Sequence, residues 1–295
     1  MSDLFLEAVK QFGRNSQHAL VIGDVMLDRY LIGYAGRISP EAPVPIVLLN
    51  QQNERAGGAA NVAANLALLG IKTHMIGCVG DDSEGVTLFK LLQQMGIDTS
   101  GVYTSKNRPT ISKTRVLSGH QQMLRLDQES NTAFNVDENA GLNAAIQLQL
   151  ALKPSVVILS DYAKGLLSEA TSQAIIAQCK TSNITVLVDP KGRDYSKYSG
   201  ATALTPNKKE TAEACETNID DDDLIIKASA LKQKLQLEFL AVTRGEEGIS
   251  LIDDKTHHLP AIAKKVFDVS GAGDTVIATL AAGLMHNLSV LQSLQ

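Results

Sequence analysis

The chain has 295 residues, 44% hydrophobic and 20% charged, with a formal net charge of -5 at pH 7. This is a globular composition, long enough for one large α/β domain or two small ones. The acidic balance gives no reason to expect a nucleic-acid partner, which normally needs clustered Lys and Arg. Cys78, Cys179 and Cys215 lie far apart and form no CxxC pair, which argues against a disulfide framework or zinc site and for a reducing compartment. The N-terminal segment lacks the apolar core of a signal peptide. The longest apolar stretch, near Val276 to Met285, is too short to span a bilayer. A cytoplasmic protein without a membrane partner is expected.

In chain order, residues 19–23, 155–160, 184–188, 202–204 and 238–243 are short apolar runs that read as buried strands. Helical patterns such as 59–69 and 168–180 separate most of them. Buried strands alternating with helices predict an α/β fold with a mostly parallel central sheet flanked by helices. Right-handed crossovers then bring the carboxyl ends of the strands to one edge. Asp24, Asp28, Asp161, Asp189, Asn207 and Thr243-Arg244-Gly245 follow those ends, where ligands bind in open α/β sheets. Residues 29–50 and 111–127 break the rhythm. They read as extended, and Pro40, Pro43 and Pro45 favour edge strands or loops there. Together they predict a small β lid over the ligand edge. Such a lid has an exposed edge, which makes a homodimer through it an expectation. Asp220 to Asp223 precede a helical run from Leu224 and read as acids complementing a helix N-terminus rather than a metal site. His257-His258 reads as a surface turn.

The most specific motif is Asp268-Val269-Ser270-Gly271-Ala272-Gly273-Asp274-Thr275, followed by an apolar, small-residue run. Its small residues allow a ligand oxygen close to the main chain. Free N–H groups at the start of the helix that follows form an anion site. Asp274, in the first turn, is placed to accept the proton of an attacking hydroxyl. By itself the same string also reads as a glycine turn with a helix-capping Asp. A second motif runs from Gly57-Gly58 through Ala59-Ala60 to Asn61. It offers backbone contacts to a substrate and an amide for its hydroxyls, or simply close helix packing. The third, Asn207-Lys208-Lys209-Glu210, reads either as a helix cap or as a carboxylate organising magnesium through waters. No G-x-x-x-x-G-K-[ST] string appears, so a P-loop enzyme is excluded.

These motifs, in this order, resemble the ribokinase (PfkB) family of carbohydrate kinases over nearly the whole chain, as one domain. The resemblance implies a ribokinase-like fold, ATP and Mg2+ as cofactors, and a sugar acceptor under the lid. It implies Asp274 as catalytic base and Gly271, Ala272 and Gly273 as the anion hole. It places Asn207, Lys208, Lys209, Glu210, Thr243, Arg244, Gly245 and Asp268 on the nucleotide side, with Glu210 toward the metal. Asp28, Gly57, Gly58 and Asn61 fall on the sugar side. Residues 23–30, 37–45, 121–127, 160–165 and 189–192 are further similar to the family's heptose 7-phosphate kinases, which phosphorylate C1 for lipopolysaccharide core synthesis. A sugar phosphate needs a cation at the far end of its pocket, for which Arg125, Lys164, Lys191 and Arg193 are candidates. Another sugar kinase of the family, or a non-catalytic sensor on its fold, are the alternatives. Family members continue with another small-residue helix on the adenine side, so the stop at Gln295 reads as a truncated C-terminus.

Overall fold

The protein is described from a computed structural model, which covers residues 10, 12–13, 17–130, 132–219, 223–261 and 271–294. Its main sheet is built from β1 (His18–Gly23), β4 (Lys72–Gly80), β5 (Asp98–Ser105), β8 (Val156–Ser160), β9 (Thr185–Asp189), β10 (Ala203–Leu204), β11 (Phe239–Thr243), β12 (Ile249–Ile252) and β13 (Thr256–Leu259), in the order β13-β12-β11-β10-β9-β8-β1-β4-β5. The pairs from β5 through β11 are parallel, and β12 and β13 are added antiparallel.

The reason for the apolar runs is visible in β1 and β8. Ala19, Val21, Val156 and Ile158 enter one core, whereas Leu20, Ile22, Val157 and Leu159 enter the other. Alternate side chains point to opposite faces, so a strand covered on both faces has no polar side. Helices α1 (Ala59–Leu68), α2 (Ser83–Gln94) and α7 (Ala272–Met285) supply the first core. Helices α3 (Val136–Ala151), α4 (Glu169–Thr181) and α6 (Leu224–Lys234) supply the second. Two short helices, α5 (Lys208–Ala214) and α8 (Val290–Leu294), complete the set among the described residues. The contact faces of α1 and α7 are largely alanine, with Ala59, Ala60, Ala63, Ala278 and Ala281 fully buried. Small side chains bring these two helices close together, which matters below.

The lid is a separate sheet of β2 (Val25–Ile38), β3 (Pro45–Gly58), β6 (Ser112–Ser118) and β7 (Gln121–Gln128), ordered β3-β2-β6-β7. It includes both segments expected to form it and reaches further into the chain. β2 begins at Val25, and β3 continues through the polar run 51–55 to Gly58. That run is mostly solvent-exposed, so it carries no apolar alternation by which to read it. Pro40 and Pro43 lie in the connection and Pro45 opens β3, an edge strand.

Strands β4 and β5 were not picked out in the sequence: β4 opens on Lys72, Thr73 and His74, and β5 carries Asp98, Ser100 and Thr104. His257-His258, expected in a turn, lies instead in β13, paired with Leu251 and Ser250 of β12. The two histidines are at the sheet's outer edge, and His258 Nδ1 meets Ser250 Oγ at 2.9 Å. Asp223 precedes α6 without a side-chain cap, and Asp220 to Asp222 lie outside the described residues.

Candidate active site

Helix α7 opens at Gly271, whose φ of 78° is left-handed, a region that glycine enters without strain. A Cβ at this residue would lie 2.6 Å from Asn61 Nδ2. The turn therefore has both a backbone and a packing reason to be glycine. Three residues on, Asp274 is buried at 4% exposure. Asn61 of α1 donates from Nδ2 to Asp274 Oδ2 at 2.7 Å, and the Tyr162 hydroxyl donates to Oδ1 at 2.9 Å. Burial pushes the Asp274 carboxyl above its ordinary range, the two donors pull it back, and Asp28 adds to the rise.

The alanine faces of α1 and α7 let Asn61 reach Asp274. Gly58, the residue before α1, has φ 59°, and a Cβ there would lie 2.5 Å from the Asp24 carbonyl oxygen. At Gly57 a Cβ would collide with the Asp28 carboxylate. The glycine pair thus lets the end of β3 pack closely against β2 beside the Asp28 carboxylate.

Two buried acids at the sheet edge organise backbone. Asp24 accepts from the N–H groups of Tyr162 and Lys164 at 3.0 Å and of Leu166 at 3.4 Å. Asp161 accepts from Ala163 N at 2.6 Å, Lys197 Nζ at 2.6 Å and Tyr198 OH at 2.7 Å. Asp189 differs. Its carboxylate accepts no hydrogen bond among the described residues, and its pKa is pushed well up, first by desolvation and then by Asp274 and Glu210.

The nucleotide-side candidates line one cleft of about 1120 Å³ together with Asp274. Its walls include Asn207, Lys208, Lys209, Glu210, Thr243, Arg244, Gly245, Gly271, Ala272 and Gly273. Asn207 and Glu210 form a capping box on α5, with Glu210 N to Asn207 Oδ1 at 2.8 Å and Asn207 N to Glu210 Oε2 at 3.1 Å. The second Glu210 oxygen accepts from Lys191 Nζ at 2.6 Å. That bond is the first reason the lysine pKa is raised. Lys191 thereby lines the cleft beside Glu210. Lys208 and Arg244 converge on Glu247 at 3.0 and 2.9 Å. Lys209 is exposed, 3.9 Å from Glu213. Asp268 lies outside the described residues.

The lid carries a second charged group. Arg115 of β6 and Arg125 of β7 are direct cross-strand partners, and Tyr30 of β2 is the partner of Arg115 on the other side. Asp28, two residues before Tyr30, shares that face and accepts from Arg115 Nη1. Arg55 is in register with Asp28 and stands 5.6 Å from the Tyr30 ring centroid. Arg125 makes a paired contact with Asp127 at 2.8 and 2.9 Å. Lys164 pairs with Glu129 at 2.7 Å, just past the end of β7. Sequence reading had Arg125 but missed Arg55 and Arg115; their alternation within the strands was the available signal. Tyr162 was visible only as one letter of the run 160–165.

A family model described as pfkB family carbohydrate kinase matches residues 16–295. The chain belongs to the pfkB family of carbohydrate kinases. Within this family, it is 57% identical over 298 residues to the bifunctional protein HldE of Methylobacillus flagellatus, covering all of this chain and 61% of the relative. It is 50% identical to the protein of the same name from Magnetococcus marinus, covering 94% of this chain and 58% of that one. The chain thus spans about three fifths of the length of the curated relatives it matches. Among solved structures, phosphofructokinase-2 from Escherichia coli superposes with a TM-score of 0.77 at 19% identity, covering 94% of this chain and 90% of the other. Arabidopsis thaliana ribokinase complexed with ribose and ATP gives 0.73 at 20% identity, covering 95% and 89%. These likenesses confirm the ribokinase-like architecture of main sheet and lid.

Gly271→Ala is expected to lower stability by about 1–2 kcal/mol through its left-handed φ and to reduce kinase turnover by displacing Asn61. Gly273→Ala, which meets nothing within 4 Å, should leave the melting temperature near that of the parent. Thermal melts of both variants, with turnover measured for Gly271→Ala, check this; equal Tm values would remove the claimed difference between the two glycines.

Proposed function

We propose that the protein transfers the γ-phosphoryl group of ATP to the C1 hydroxyl of D-glycero-β-D-manno-heptose 7-phosphate, giving the 1,7-bisphosphate for ADP-heptose and lipopolysaccharide core synthesis. In this reading the chain corresponds to the kinase half of its bifunctional relatives. The observation that carries it is the buried, doubly held carboxylate of Asp274 at the start of α7, on the wall of the cleft. The similarity to HldE proteins along the whole chain supports the choice of acceptor.

The acceptor hydroxyl attacks the γ-phosphorus, its proton passes to Asp274, and ADP leaves. A pKa raised by burial makes this carboxylate a better proton acceptor than a solvated one. The first-turn N–H groups of α7, at Ala272 and Gly273, lack helical partners and point their dipoles at the transferring phosphoryl oxygens. Asp28, with Gly57 and Gly58, holds sugar hydroxyls. Asn207, Lys208, Lys209 and the turn Thr243-Arg244-Gly245 take the nucleotide, whose phosphates replace Glu247 as partner of Lys208 and Arg244.

The donor set also suits magnesium. Glu210 and the unbonded carboxylate of Asp189 present oxygen ligands on one wall, and magnesium prefers oxygen and keeps several waters. Bound there, the ion would offset the charge of the ATP phosphates. The substrate's own phosphate is assigned to Arg125 and Arg115. The two are cross-strand partners on the lid, and their guanidinium groups suit a phosphate in bidentate geometry. ATP use and three free cysteines support a cytoplasmic setting, and no described helix is long and apolar enough to cross a membrane. Tyr34, Ile38, Leu48, Leu49, Leu124 and Leu126 of the lid are each more than half exposed, which supports a homodimer through it.

Asp274→Asn should lower kcat by about 10²–10⁴ while binding of the heptose phosphate, followed by calorimetry, stays near wild type. ADP release should be fastest with the heptose phosphate, against fructose 6-phosphate and ribose; turnover of ribose alone would sink the acceptor assignment. Arg125→Ala is expected to raise KM for the sugar phosphate about tenfold or more and leave KM for ATP in place. An unchanged sugar-phosphate KM removes the arginine from the subsite. Light scattering should give a dimer for the parent chain and a monomer for Leu48→Glu/Leu124→Glu, and a monomeric parent ends the dimer proposal.

A further inference from the structure

We infer that Tyr162 is a positioning residue of this kinase, its hydroxyl fixing one oxygen of Asp274 while Asn61 fixes the other, so that the base keeps its charge and its aim. The inference rests on the proposed role of Asp274. The Tyr162 hydroxyl is little needed by its own loop. The backbone after β8 is already tied down twice. Asp24 accepts from Tyr162 N, Lys164 N and Leu166 N, and Asp161 accepts from Ala163 N. Asp161 is itself locked by Lys197 and Tyr198. Ala163 is held at a left-handed φ of 57°, a conformation that costs a non-glycine residue energy and persists where surroundings dictate it. The bonds that Asp24 and Asp161 accept from this loop come from backbone N–H groups and would survive the loss of the phenol oxygen. The hydroxyl's hydrogen bond is to Asp274 Oδ1, at 2.9 Å.

The groups around Asp274 show why a donor is needed there. Asp28 on β2, itself held by Arg115, and Asp189 on β9, beside Lys191 and Glu210, are the nearby acids. Asp28 disfavours a charged Asp274, as does its burial. Among the described residues only Asn61 on α1 and Tyr162 after β8 donate to its oxygens. Burial and Asp274 also push the Tyr162 phenol far up, so it stays a donor throughout the working pH range. Each carboxylate oxygen retains lone-pair capacity after accepting one bond. Two fixed donors therefore leave defined directions for the incoming hydroxyl, and orientation of this kind counts in a near-attack geometry.

The test is Tyr162→Phe in the full chain, which keeps the ring and every backbone tie. kcat and kcat/KM are measured from pH 5 to pH 9, with a melting curve to verify the fold. Asp274 must be ionised to accept a proton, so activity falls as pH drops through its raised pKa. Losing one hydrogen bond to the charged form raises that pKa further. The acid limb of kcat/KM is expected to move up by about one pH unit, with kcat reduced about tenfold near the limb and KM for ATP within about twofold. Asn61→Ala should move the limb the same way. A Tyr162→Phe enzyme with the wild-type limb and kcat overturns the inference, as does a loss that is equal at every pH and accompanied by a lower Tm. Asp274→Asn separates the levels: if it keeps turnover the base itself is wrong, whereas an inactive Asp274→Asn beside an unaltered Tyr162→Phe overturns the positioning role alone.

Discussion

A carboxylate taken out of water costs several kcal/mol unless donors replace the lost hydration. Asp274 meets this condition with two donors, 213 and 112 positions away in the chain. Neither reaches it until the sheet is assembled. Asn61 arrives because α1 and α7 pack through alanines, and Tyr162 arrives because β8 lies beside β1 and Asp24 anchors the loop that follows. The small-residue helices, the glycine pair before α1 and the acids at the sheet edge therefore serve one placement. Removing any of them disturbs a group that is stable only while fully partnered.

That dependence also explains what was legible in the sequence. β1, β8, β9 and β11 are buried on both faces, and their apolar runs show it. The turn Gly271-Ala272-Gly273 and Asp274 are adjacent in the chain, so local pattern suffices to find them. The bracket of Asp274 by Tyr162 is a contact between distant segments and leaves no local trace. The same holds for Arg115 and Arg125, whose apposition is a matter of register between β6 and β7. β4 and β5 stayed hidden because β4 opens on three polar residues and β5 is mostly polar.

Asn207 and Glu210 had two readings, a helix cap or a site element, and the geometry joins them. The capping box is formed, yet it consumes one Glu210 oxygen and leaves the other toward Lys191 and the cleft. A cap fixes the side chain's rotamer at no cost in mobility later, so the carboxylate is already aimed when a ligand enters. Local stability and pre-organisation are the same hydrogen bonds here.

The acids along the sheet edge are compensated in three different ways, and the differences mark where ligand chemistry belongs. Asp24 is satisfied by backbone N–H groups, and Asp161 by Lys197 and Tyr198. Both are complete without a ligand, and both hold the loop that carries Tyr162. Asp274 is satisfied by two neutral donors, which fix it without neutralising it, as a proton acceptor requires. The Asp189 carboxylate accepts no hydrogen bond among the described residues, lines the same cleft as Asp274 and Glu210, and feels the charge of both. Desolvation and its acidic neighbours disfavour its charged form. Lys191 offsets part of that rise; further positive charge favours the ionised form, and in the proposed reaction that charge arrives with the nucleotide. The edge is thus complete at its structural acids and incomplete at the cleft, and the incompleteness is electrostatic before it is a matter of shape.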